Sequence, residues 1–267
     1  MIQTEETLIR ILVFVLGAIV GSFLNVCIVR LAHGKSLVRP RSHCVHCQTV
    51  IPWYDNIPLV SYWILKGRCR FCQKRISLRY FVVELTTALL FLGLYLYFGK
   101  TLLLIPYWVL ASGLIVATFI DLEHRIIPDE ISVGGIVAGL GFSIIFPHLH
   151  NAPSIGVSLA RSFMGVVVGG GTIYLMGLLG DSLFKKESMG GGDVKLLAMV
   201  GSFLGWPVTL LAFFIAPFFG AVVGIVVKLR TKESVIAYGP FLSLGALISL
   251  FWGDRIIHWI LYQYGLG

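Results

Sequence analysis

The sequence predicts an all-α polytopic membrane protein, with about eight transmembrane helices and one small cytoplasmic insert resembling a zinc ribbon. Three observations predict it. Of the 267 residues, 57% are hydrophobic and only 13% are charged, against roughly 25% charged in a soluble globular domain. The apolar residues fall in long blocks, which separates a membrane bundle from an apolar soluble core. One polar stretch interrupts the blocks, and it carries four of the five cysteines.

A helix needs about 20 apolar residues to cross a bilayer. Candidate spans lie near 8–30, 80–98, 101–121, 130–147, 158–181, 193–206, 207–228 and 238–264. The first is too long for a signal-peptide core and runs directly into basic residues, so it reads as a retained span. The sixth is short. Its border with the seventh is set only by Gly205-Trp206-Pro207, where proline favours a break. Residues 1–30 are thus expected to form the first helix, 31–79 the insert and 80–267 the remaining bundle. No internal repeat stands out. Gly169-Gly170-Gly171 falls inside a span and reads as a site of close helix packing.

Charge sets the orientation. The net charge is +8, and ten of the 21 Lys and Arg lie between Arg30 and Arg79. In this span order Arg125, the pair Lys185 and Lys186, and the group Lys228, Arg230 and Lys232 fall on the same side. The positive-inside rule then puts the insert in the cytoplasm and both termini outside. No basic helix or aromatic RNA-binding pattern accompanies the charge, so nucleic acid is not an expected partner and membrane lipid is.

Within the insert, Cys44-Val45-His46-Cys47 and Cys69-Arg70-Phe71-Cys72 are separated by 21 residues. Two such pairs supply four thiolates, enough for a closed tetrahedral zinc site. A structural zinc also explains how a segment with few large aliphatics folds, since the metal contributes on the order of 10 kcal/mol. Disulfides are disfavoured in the cytoplasm. Four cysteines fill the site, which leaves His43 and His46 as bystanders. Cys27, in an apolar span, reads as a packing residue.

Two acids are candidates for catalysis. Asp121 ends the third span and opens Asp121-Leu122-Glu123-His124-Arg125-Ile126-Ile127-Pro128-Asp129. Asp193 closes Gly190-Gly191-Gly192-Asp193 and opens the sixth. Both fall at the same membrane face in this topology. Gly190 and Gly192 leave room for an extended peptide beside a carboxylate. Two close carboxylates share a proton, so that one serves as base for water while the other donates to a carbonyl oxygen. Each acid taken alone reads equally as a helix cap or an ion-pair partner. Asp129 and Asp181 lie near the same face, Asp129 expected as a cap after Pro128 and Asp181 expected to pair with Lys185.

These motifs resemble those of the type IV prepilin peptidases, membrane aspartic proteases of the Gly-x-Gly-Asp type. The resemblance is carried by Ile120–Asp129 and by Gly190–Leu196. Gly21-Ser22-Phe23-Leu24-Asn25-Val26, the cysteine insert with Trp53–Pro58 and Gly67–Arg70, and Arg79–Glu84 extend it in order along the chain. It implies that Asp121 and Asp193 are the catalytic pair. It implies a bacterial inner-membrane enzyme that cleaves the basic leader of prepilins or type II secretion pseudopilins at the cytoplasmic face. It further implies N-methylation of the new terminus with S-adenosylmethionine, associated with the cysteine domain. Glu84 is a secondary candidate, either for substrate or the methyl-transfer site or as a partner of Arg79 or Lys74. Lys195 is another, either tuning the pair or anchoring its helix to lipid phosphate. The competing reading is a non-catalytic transporter or assembly protein with a zinc-bound module, whose acids would face the bilayer centre.

Overall fold

The structure is a computed structural model, and it describes residues 2–39, 41–185, 189–231 and 236–263. Among these residues the helices are α1 (Ile2–Leu31), α2 (Val60–Ile64), α3 (Leu78–Phe98), α4 (Leu104–His124), α5 (Asp129–Ile145), α6 (Ile155–Phe184), α7 (Gly191–Thr231) and α8 (Gly239–Gln263). Strand-like pairing among them is confined to two isolated bridges in the insert. Lys186, Lys232 and Tyr264, which entered the charge pattern and the last expected span, lie outside the described residues.

Six helices are long and apolar enough to cross a membrane: α1, α3, α4, α6, α7 and α8. The expected count of eight roughly fits, because α5 falls just short in length and α7 is two helices in series. With 17 residues, α5 rises only about 26 Å, slightly under the hydrocarbon thickness. The 41 residues of α7 run through a non-helical residue, Gly205, with φ 73° and ψ 167°. Pro207 follows, so α7 is two helices in series, as the Gly205-Trp206-Pro207 signal predicted. Its first part, 191–204, rises about 21 Å.

The chain divides into two compact units, Met1–Leu104 and Ile105–Gly267. In the first, α1 packs on α3. Residues 80–98, grouped with the later bundle in the sequence reading, belong to this unit. A Cβ at Gly17 or Gly21 would lie 2.7 Å from the Cα of Ala88 or Glu84, so the two helices meet backbone to backbone. The Asn25 amide donates to the Tyr80 carbonyl at 3.0 Å and ties α1 to the start of α3. Cys27 is buried in this unit.

In the second unit the first part of α7 is the centre. Leu196, Leu197, Met199, Val200 and Phe203 are almost fully buried, with α4, α5 and α6 against them. Small residues make that packing possible. Gly165 of α6 and Gly201 of α7 touch backbone to backbone, and Gly135 and Gly139 of α5 receive Met199 and Ser202. Gly169 and Gly170 also pack on α7, at Leu197 and Ala198, while Gly171 faces open space. The Ser162 hydroxyl donates to the Ser202 carbonyl at 2.7 Å across the same contact. At the Gly205 break, Thr209 caps the freed Gly205 carbonyl at 2.7 Å. His150 lies beside Gly205; burial first, and then Arg161, hold its imidazole down to about 4, so it is neutral there.

The backbone contact of α6 and α7 generates a prediction. Gly201→Val forces the helices apart and should destabilise the second unit by about 2 kcal/mol. A thermal unfolding scan in detergent checks it, and an unchanged melting temperature contradicts the close contact.

Candidate active site and metal centre

The cysteine insert is built from two copies of one local turn. After each pair the chain takes a left-handed residue, Gln48 (φ 58°) and Gln73 (φ 56°). The backbone closes identically in both. Gln48 N–H donates to the Cys44 carbonyl and Cys44 N–H to the Thr49 carbonyl, both at 2.9 Å. Gln73 N–H donates to Cys69 at 3.0 Å, and Cys69 N–H to Lys74 at 2.9 Å. Each turn is flanked by a bridge, His43 with Val50 and Arg68 with Arg75. The repeat behind them, Cys-x-x-Cys-Gln, is only five residues long and too short to stand out in the sequence.

The two turns bring all four sulfur atoms within 4.8 Å of one another. Cys44 and Cys72 are 3.8 Å apart, and Cys47 and Cys69 are 4.0 Å apart. A tetrahedral ion with metal–sulfur bonds of about 2.3 Å has sulfur–sulfur edges of about 3.8 Å, so the donor set fits. His43 and His46 stay outside the cluster; the His43 ring contacts the Arg41 carbonyl. The thiols differ in acidity. Cys47 is held down to about 6, chiefly by hydrogen bonds from the Thr49 side chain and backbone. At Cys72 the Lys74 backbone lowers the value, but burial and the three neighbouring thiols outweigh it and push it up to about 11. Four clustered thiols do not all ionise without a cation among them. Arg70, inside the second pair, forks onto Asp55 at 2.7 and 2.6 Å and holds that carboxyl below its ordinary value.

Glu84 is placed by α3 beneath the insert. It accepts the Leu59 N–H at 2.7 Å and a hydrogen bond from Ser22. Leu59 has φ 63°, a costly conformation for a non-glycine residue. Leu59 also walls a groove of about 1030 Å³ between α1 and the insert, together with Phe14, Ser22, Phe23, Trp53 and Asn56.

The two candidate aspartates belong to the second unit. Asp121 sits in the last turn of α4 and is only 6% exposed. Its Oδ2 accepts the N–H of Gly239, at the start of α8, at 2.9 Å. Asp193 sits in the first turn of α7, half-buried, with its N–H on the Gly190 carbonyl at 3.1 Å. Ile127 connects the two. A Cβ at Gly192 would lie 3.1 Å from Ile127 Cβ, and one at Gly239 would lie 3.2 Å from Ile127 Cδ1 and 2.8 Å from Asp121 Oδ2. The carboxylates are close enough to interact electrostatically. Gly191, two residues before Asp193, has nothing within 4 Å of a Cβ position. The end of α4, the start of α7 and the start of α8 therefore converge on one spot carrying two acids, with room beside one of them.

Asp129 and Lys195 meet each other across the second unit. Asp129 does not cap α5: Pro128 holds the cap position, without a side-chain cap. Instead Asp129 pairs with Lys195 at 2.6 Å, a protein partner that neither reading of Lys195 included. Both groups are exposed, so the pair adds little stability. Asp181 is exposed in α6, and its carbonyl receives the N–H of Lys185, whose φ is 51°. Gly239 was not among the expected site residues. Its signal was the Gly239-Pro240 dipeptide at a span border.

The donor geometry predicts one tightly held metal per chain in enzyme purified under reducing conditions. Cys44→Ser with Cys72→Ser should remove it, and elemental analysis checks this. A metal-free parent protein contradicts the site.

Comparison with known proteins gives a consistent picture. Residues 15–98 match the bacterial peptidase A24 N-terminal domain and residues 108–225 match the type IV leader peptidase family. Among curated relatives, a prepilin leader peptidase/N-methyltransferase of Myxococcus xanthus is 44% identical over 85% of this chain and 65% of its own length. The type 4 prepilin-like proteins leader peptide-processing enzyme of Escherichia coli O78:H11 is 37% identical over 93% of this chain and 96% of its own. A prepilin leader peptidase/N-methyltransferase of Aeromonas hydrophila is 34% identical, covering 95% and 94%. No solved structure matches. With such identity over nearly the whole length of two relatives, the chain belongs to the type IV leader peptidase family.

Proposed function

We propose that the protein is a membrane aspartic endopeptidase that removes the basic leader of type IV prepilins or type II secretion pseudopilins, and then methylates the new N-terminal residue. The observation that carries the reading is the convergence of Asp121 and Asp193 at three helix ends. In the proposed mechanism the pair shares one proton. The ionised member takes a proton from water, which attacks the scissile carbonyl, while the protonated member donates to the carbonyl oxygen. The opening at Gly191 admits an extended chain. The charge pattern supports an inner-membrane orientation with the acids and the cysteine insert toward the cytoplasm, where a basic leader would remain. The transporter alternative has no support from the acids, which gather at helix ends rather than along a path through the bundle.

Zinc is the metal proposed for Cys44, Cys47, Cys69 and Cys72, and it would serve as a structural crosslink between the two turns. Methylation is assigned to the first unit, with S-adenosylmethionine as donor, on the relatives' names and on the groove beside Leu59. Glu84 holds the Leu59 wall of that groove from below. It is thus a positioning residue in this reading.

Two measurements check the proposal. Asp121→Asn and Asp193→Asn should each lower leader cleavage at least about 1,000-fold while the protein stays in the membrane; normal processing by either contradicts the pair. Glu84→Ala should lower methylation at least about tenfold through loss of a charge-assisted hydrogen bond, with cleavage retained. Mass measurement of the product's N-terminus reads both steps, and parallel loss of both would contradict a role confined to methyl transfer.

A further inference from the structure

A third segment faces the aspartates. Gly239 is buried where α8 begins, and its N–H points at Asp121 Oδ2. The turn is rigid, because the Tyr238 carbonyl accepts the N–H groups of Phe241 at 3.0 Å and Leu242 at 3.2 Å. No side chain fits at 239 without striking the carboxylate or Ile127. Tyr238 lies within electrostatic reach of Asp193. Burial first, and then that carboxylate, push its hydroxyl up to about 12, so it stays neutral beside the pair. Two consecutive residues of one turn thus address both acids.

We infer that the Tyr238-Gly239 turn is a third, positioning part of the proteolytic centre, in which the Gly239 amide holds the Asp121 carboxyl in its working orientation. An N–H only donates, and the start of a helix favours negative charge on the oxygen it meets. The amide therefore orients the Asp121 carboxyl and stabilises its ionised form. Asp193 meets a different donor, the Gly190 backbone on its own side of the site. Glycine is required at 239 because the amide must approach Asp121 without a side chain in between.

This inference rests on the proteolytic reading of the pair, and the test separates the two. Full-length enzyme is made with glycolate in place of Gly239, which deletes the N–H and adds no bulk. Gly239→Ala and Asp121→Asn are made alongside. With a prepilin peptide, the ester enzyme should lose about 10- to 100-fold in kcat, keep its KM, and show an altered pH profile of kcat. Gly239→Ala should lose at least as much, and the ester decides if that variant does not fold. If Asp121→Asn is inactive while the ester enzyme keeps the parent's kcat and pH profile, this inference is overturned and the proteolytic reading stands. If Asp121→Asn cleaves normally, the reading of the pair falls, and this inference with it.

Discussion

The cost of a carboxylate in a membrane, roughly 3 kcal/mol at the centre of a spanning helix and less near its end, shapes the second unit. Both candidate acids occur where helices stop: Asp121 in the last turn of α4 and Asp193 in the first turn of α7. Helix ends also expose unsatisfied backbone groups that can serve a charge. The start of α8 does so directly, through the Gly239 N–H. Building a site this way requires three helix ends at one place, and close packing supplies that. The middle of the first part of α7, from Leu196 to Phe203, is buried because glycines in α5 and α6 let those helices approach it. The break at Gly205 keeps that part short.

The insert solves a different problem. Many of its large apolar side chains, among them Val38, Trp53, Trp63 and Ile64, are exposed rather than gathered in a core, and two five-residue turns collect its four sulfur atoms. Backbone hydrogen bonds preform each turn, and the left-handed Gln48 and Gln73 close them. A metal held there would join two ready-made halves. The Arg70 fork onto Asp55 links the second half to the turn at Trp53–Asn56.

Local signals carried much of this into the sequence. Span positions followed from apolar blocks, the α7 break from Gly205 and Pro207, and the cysteine cluster from its spacing. Asp121 and Asp193 were separable from Asp129 and Asp181 only through their flanking motifs. What was not legible depends on contacts between distant residues. The Lys195 partner is 66 residues away, and the donor to Asp121 is 118 residues away. Neither is encoded by local spacing, since each arises from how helix ends converge. Glu84 illustrates the same limit: its position near a span end was visible, but its grip on the Leu59 N–H was not. The cap expected of Asp129 failed because Pro128 took that position and Lys195 supplied a charge partner.

The central claim is that Asp121 and Asp193 act on one water. A structure of the enzyme with a prepilin peptide carrying a hydroxyethylene isostere at the scissile bond tests it most directly. The account predicts the isostere hydroxyl within hydrogen-bond distance of both carboxylates, with the Gly239 N–H still on Asp121. A hydroxyl bound to one aspartate with the other turned away, or seated elsewhere in the protein, would contradict it.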